Sequence, residues 1–79
     1  MTINGEKIVE FVIYGEEGGP FEFHKPLTTL QEVYEKLKMI KETDRKNNFK
    51  DKYTINVYTK TGFYTDYVLR KYKNKLYLK

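Results

Sequence analysis

Cysteine, serine, alanine and tryptophan are all missing from this 79-residue chain, and histidine occurs once. Without cysteine there is no disulfide and no thiolate ligand for zinc. Without serine or cysteine, two of the common catalytic nucleophiles are gone. His24 sits at a strand end beside Lys25 and Pro26, with none of the positioned partners that acid–base catalysis needs. Glu16 and Glu17 are neighbours in a glycine-rich turn, whereas a hydrolytic carboxylate pair straddles a bond from opposite sides. Glu22 and His24 offer a metal only two ligands. Gly15, Gly18 and Gly19 lack the spacing and the following Lys-Ser/Thr of a phosphate loop, and the two glutamates between them repel phosphate. The expectation is a non-enzymatic protein with no cofactor and no metal.

The chain also lacks an apolar run near the roughly 18 residues that cross a membrane, and it has no signal-peptide pattern. A soluble cytoplasmic protein with no membrane partner is expected. Residues 1–79 read as a single domain, with no internal repeat and no shift of composition. At this size folding buries only roughly 60% of the unfolded chain's surface, so pairing with a second copy is one source of added stability.

What is present is concentrated at one end. Residues 52–79 hold six of the eight tyrosines and seven Lys or Arg against one acid, Asp66, while residues 1–51 hold eight basic and ten acidic residues. The net charge of +4 therefore conceals an acidic first part and a basic, aromatic last part. A nucleic acid, a nucleotide or an acidic protein surface is what such a segment suits.

Residues 7–14 alternate, with Val9, Phe11 and Ile13 on one side and Ile8, Glu10, Val12 and Tyr14 on the other. The turn chemistry of residues 15–20 and a return strand over 21–24 complete a first hairpin. Thr28 with Gln31 and Thr29 with Glu32 form overlapping capping boxes. Leu30, Val33, Leu37 and Ile40 then recur at helical spacing, which predicts an amphipathic helix over 29–44.

The remaining residues predict a three-stranded antiparallel meander. A three-residue loop at Lys60-Thr61-Gly62, with Gly62 left-handed, sets Val57 opposite Thr65 and Ile55 opposite Tyr67. A four-residue loop at 71–74 then sets Leu69 opposite Leu76. This register gathers Tyr53, Ile55, Val57, Phe63, Tyr67, Leu69, Leu76 and Leu78 on the core side. It turns Tyr58, Tyr64, Val68, Arg70, Lys75 and Tyr77 outward, with Tyr58 facing Tyr64 and Val68 facing Tyr77. The fold class is α+β, ββαβββ, with the helix on one sheet face.

One helix covers one face only. The other keeps large apolar side chains, including Ile8, Val12 and Tyr14 from the first hairpin, and an extended patch of that kind marks a contact site. The expected function is a small protein-interaction module, of the sort used as phage- or mobile-element-type inhibitors, binding another protein or a second copy of itself through this aromatic face. The alternative is a nucleic-acid or nucleotide binder. In that reading Tyr58 and Tyr64 stack on bases, while the loop Arg70-Lys71-Tyr72-Lys73-Asn74-Lys75 holds phosphate. Asp66 in the middle of the face weighs against the alternative. So does the absence of the sequence pattern by which aromatic-faced RNA-binding domains are known.

Overall fold

Asn4 and Gly5 both take positive φ, 50° and 80°, the geometry of a two-residue hairpin turn. In the computed structural model, which describes residues 1–79, this turn joins β1 (Thr2–Ile3) to β2 (Glu6–Gly15). Alternation alone starts the first strand at Lys7. The Asn-Gly dipeptide adds a short strand before it.

β2 runs antiparallel to β4 (Tyr53–Thr59), with Phe11 opposite Val57 and Ile13 opposite Ile55. Between the pairs Ile8–Thr59 and Glu10–Tyr58 one residue is extra. This β-bulge reverses the expected order at the start of the strand. Ile8 packs against the core, and Val9 is 51% exposed.

The return strand is shorter than expected. Only Gly19–Pro20 (β3) pairs with the end of β2, followed by a hydrogen bond from the Phe21 N–H to the Ile13 carbonyl. Proline brings no ladder donor, and the chain leaves the sheet. Phe21 and Phe23 pack against the core, and Leu27 comes back to accept from the Phe11 N–H at 2.8 Å.

α1 (Leu30–Lys46) begins at the N-cap Thr29. The Thr29–Glu32 capping box forms in both directions, whereas Gln31 donates to Glu35 instead of completing the second box. Leu30, Val33 and Leu37 are buried as their spacing predicts, and the helix runs two residues past 44.

The C-terminal strands are β5 (Phe63–Tyr67), β6 (Leu69–Tyr72) and β7 (Lys75–Leu78). The expected middle strand is thus broken at Val68. Its first half pairs with β4, and its second half pairs with β7 in a separate two-stranded sheet. Both registers depart from expectation near their turns. Thr59 accepts the Gly62 N–H on its hydroxyl at 2.7 Å and donates its own N–H to the Gly62 carbonyl at 2.9 Å. The turn is therefore four residues long, Gly62 is not left-handed, and Tyr58 faces Phe63 while Val57 faces Tyr64. A second bulge, with Asp66 at φ 67°, restores the expected pair Ile55–Tyr67. At the far tip Lys73 and Asn74 take φ of 49° and 64°, giving a two-residue turn. Leu69 then faces Leu78, Arg70 faces Tyr77, and Tyr72 faces Lys75.

The core comprises Phe11, Ile13, Leu27, Leu30, Val33, Leu37, Ile55 and Val57. Tyr53, Tyr64, Tyr67, Leu69, Leu76 and Leu78 close around it. The fold is α+β, with a curled antiparallel sheet, one helix against its inner face and a C-terminal hairpin. No helix is long and apolar enough to cross a membrane.

Candidate functional site

The face of the sheet turned away from α1 follows from the alternation around the buried pairs Phe11–Val57 and Ile13–Ile55. It carries Glu10, Val12 and Tyr14 on β2, Thr54, Asn56 and Tyr58 on β4, and Phe63 and Thr65 on β5. Tyr58 and Phe63 are cross-strand partners whose ring centroids lie 4.6 Å apart. Phe63, expected in the core, is 52% exposed.

Asn56 stands at the centre of this face, opposite Val12 and between Thr54 and Tyr58. It is only 9% exposed, yet its side-chain amide makes no hydrogen bond within the chain. No buried side-chain nitrogen or oxygen is sealed from solvent without a partner. The small area that Asn56 still shows is therefore at its amide.

Tyr64 does not belong to this face. The one-residue shift at the turn sends it inward, where it packs against the core and donates its hydroxyl to Glu6 Oε2 at 2.6 Å. Glu6 Oε1 accepts from Thr59 at 2.6 Å and from Thr61 at 3.0 Å. These hydroxyls, Thr59 first, hold the Glu6 carboxyl below the usual carboxylate range. The Glu6 hydrogen bond in turn pushes the Tyr64 phenol up. Its partners lie 53 to 58 residues away in the chain, so no local motif announces the cluster.

Lys71 is also turned inward, its Nζ 4.7 Å from the centroid of the Tyr34 ring on α1. Tyr72 moves the other way. Expected in a loop, it lies on β6 and is 62% exposed, with Lys73 Nζ 5.4 Å from its ring centroid. Val68 is half-buried and exchanges backbone hydrogen bonds with Lys79, not with Tyr77. Arg70, Tyr72, Lys75 and Tyr77 consequently share the outer face of the β6–β7 hairpin, while Leu69, Leu76 and Leu78 pack inward.

Two acidic side chains have structural work. Asp51 accepts from the N–H groups of Glu17, Gly18 and Lys52. Its burial opposes the charge, but those N–H groups outweigh it and lower its pKa. Asp44 accepts from the Tyr53 hydroxyl, and burial together with that carboxylate raises the Tyr53 pKa. An open cleft of about 440 Å³ between residues 23–27 and the start of α1 borders His24. Its carboxylates are already engaged, Glu32 with the N-cap and Glu35 with Gln31. No three His, Asp or Glu side chains converge as a metal-binding group.

No protein-family model matches the chain, and no curated protein or solved structure matches it either.

Proposed function

We propose that the chain is a non-enzymatic protein-binding module, in the manner of a small phage- or mobile-element-type inhibitor, and that its partner docks on the sheet face centred on Asn56. The observation that carries this reading is Asn56 itself, a polar side chain 9% exposed with no partner of its own. Its amide still reaches solvent, and a partner's backbone N–H or carbonyl can take the place of that water on docking. Around it stand Val12, Tyr14, Tyr58 and Phe63, apolar and aromatic side chains on the same face. Exposed tyrosines of this kind are enriched among the residues that anchor protein partners. Glu10 on this face and Asp66 in the adjacent bulge weigh against a phosphate backbone here and suit a protein surface.

The test compares the parent with Asn56→Lys and Val12→Lys, using Lys41→Glu on the helix as control. Light scattering after size exclusion gives the mass of each, and immobilised baits recover partners from the cell that encodes the chain. The parent and the control are expected to share an assembly or a captured protein that both face variants lose while melting cooperatively. If all four behave alike, the contact lies elsewhere.

A further inference from the structure

The outer surface of the β6–β7 hairpin is a second surface, with different chemistry. Arg70 lies opposite Tyr77, and Tyr72 lies opposite Lys75. Cations therefore occupy one diagonal of the hairpin face and tyrosines the other. Directly opposed residues sit roughly 5 Å apart and diagonal ones roughly 7–8 Å apart. Tyr72 is 62% and Tyr77 43% exposed. Neither is needed to hold the hairpin down, because Leu69, Leu76 and Leu78 do so from the inner face.

The cations are also free of acids. The one ion pair within 4.0 Å in the chain is Arg45 with Glu42, on the helix. From Tyr67 to Lys79 there are five basic residues and no acidic one. A lysine-rich hairpin protects its edges without needing exposed aromatics. Two open phenol rings interleaved with unpaired cations call for a ligand that is both anionic and flat.

We infer that this hairpin face binds single-stranded nucleic acid, with bases stacked on Tyr72 and Tyr77 and phosphates held by Arg70, Lys73 and Lys75. Unpaired bases expose the π-faces that such rings take up, whereas a duplex hides them. Lys73 stands over one side of the Tyr72 ring, placing a phosphate-binding charge beside the stacking surface. An acidic protein would satisfy the charges but leave the two rings without a role. The surface is separate from the one centred on Asn56, so either can fail without the other.

The experiment is fluorescence anisotropy with a labelled oligothymidine of roughly 12 nucleotides, long enough for a module of this size, across a salt series. The parent is expected to bind, and Tyr77→Ala or Tyr72→Ala to weaken binding about 5- to 150-fold with the salt slope kept. Tyr77→Phe keeps the parent's affinity. The combined Arg70→Gln, Lys73→Gln, Lys75→Gln variant is expected to flatten the slope by about 2, at roughly 0.7 for each phosphate that is no longer neutralised. Met39→Gln, on the exposed side of the helix and outside both surfaces, binds as the parent does. Polyglutamate, which has charge and no bases, competes poorly. The inference is overturned if the parent fails to bind, if the double Tyr72→Ala, Tyr77→Ala variant binds like the parent, or if polyglutamate displaces the oligonucleotide as well as unlabelled strand does. That last result would mark an acidic-protein site.

Discussion

The hydroxyl of Tyr64 donates to the carboxylate of Glu6 across 2.6 Å, joining residues 58 apart in the chain. With Thr59 and Thr61 on its other oxygen, Glu6 ties the start of β2 to the turn between β4 and β5. Hydrogen bonds to the ionised form, that of Thr59 foremost, lower its pKa in the folded state. A carboxylate of this kind adds stability above its unfolded value, lost as the pH falls through the folded one. Glu6→Gln is expected to lower Tm at neutral pH. It should also lose less Tm than the parent between neutral pH and about pH 3, below the ordinary Glu range. Thermal melts at several pH values check both.

Gly62 is required by crowding, not by its backbone angle. A Cβ there would lie 2.9 Å from the Tyr64 ring and 3.0 Å from both Glu6 Oε1 and Thr59 Oγ1. Gly62→Ala is expected to lower Tm and Gly62→Val to lower it further. In a Glu6→Ala, Thr59→Ala background the added cost of Gly62→Ala should shrink, because two of the obstructing groups are gone. Equal costs in both backgrounds would show that the backbone, not the neighbours, demands glycine.

Asp51 holds the turn after β2 through the N–H groups of Glu17 and Gly18, at 3.1 and 3.2 Å. Its lowered pKa means that the clamp is present above the ordinary Asp range and released as the pH falls through the folded value. Asp51→Ala is expected to cut the amide-exchange protection of Glu17 and Gly18 at neutral pH while leaving the α1 amides protected. Unchanged protection at both turn residues would show that the clamp does not hold the turn.

Leu37 lies on the buried face of α1 and Glu35 on its solvated face. Leu37→Ala is expected to cost roughly 2–5 kcal/mol by urea denaturation. Glu35→Ala should cost under about 0.5 kcal/mol, the scale of a surface change. Equal costs would remove the helix from its assigned place.

The helix was legible because its signals are local: Thr29 and Glu32 mark its start, and Leu30, Val33 and Leu37 its face. The inward residues Phe11, Ile13, Ile55 and Val57 were legible from alternation. What alternation cannot show is a residue that interrupts it. The bulges at Val9 and Asp66 each shift a register by one, and a shift of one exchanges faces. Phe63 and Tyr64 traded places because the register is shifted by one between the 59–62 turn and the bulge at Asp66, which removed Tyr64 from the expected contact face. The Asn4-Gly5 turn carries a standard hairpin dipeptide and was readable. The Lys73-Asn74 tip was not, since lysine is uncommon at positive φ, and that turn decides that Tyr72 joins Tyr77 on one face. Asn56 became a candidate only when its burial and its missing partner were seen together.

A protein that docks on the face around Asn56 comes within reach of Phe63. Two exposed phenylalanines allow a direct test, since Phe63, on that face, is 52% exposed and Phe49, after the helix, is 42% exposed. Exposure alone would make them equally reactive toward a partner. A photo-crosslinking benzoylphenylalanine placed at position 63 or at position 49 is irradiated in the cell that encodes the chain. The expected result is one discrete crosslinked protein from position 63, abolished when Asn56→Lys is added, and none from position 49. Crosslinking from position 49 alone, or from position 63 undiminished by Asn56→Lys, would place the contact away from this face.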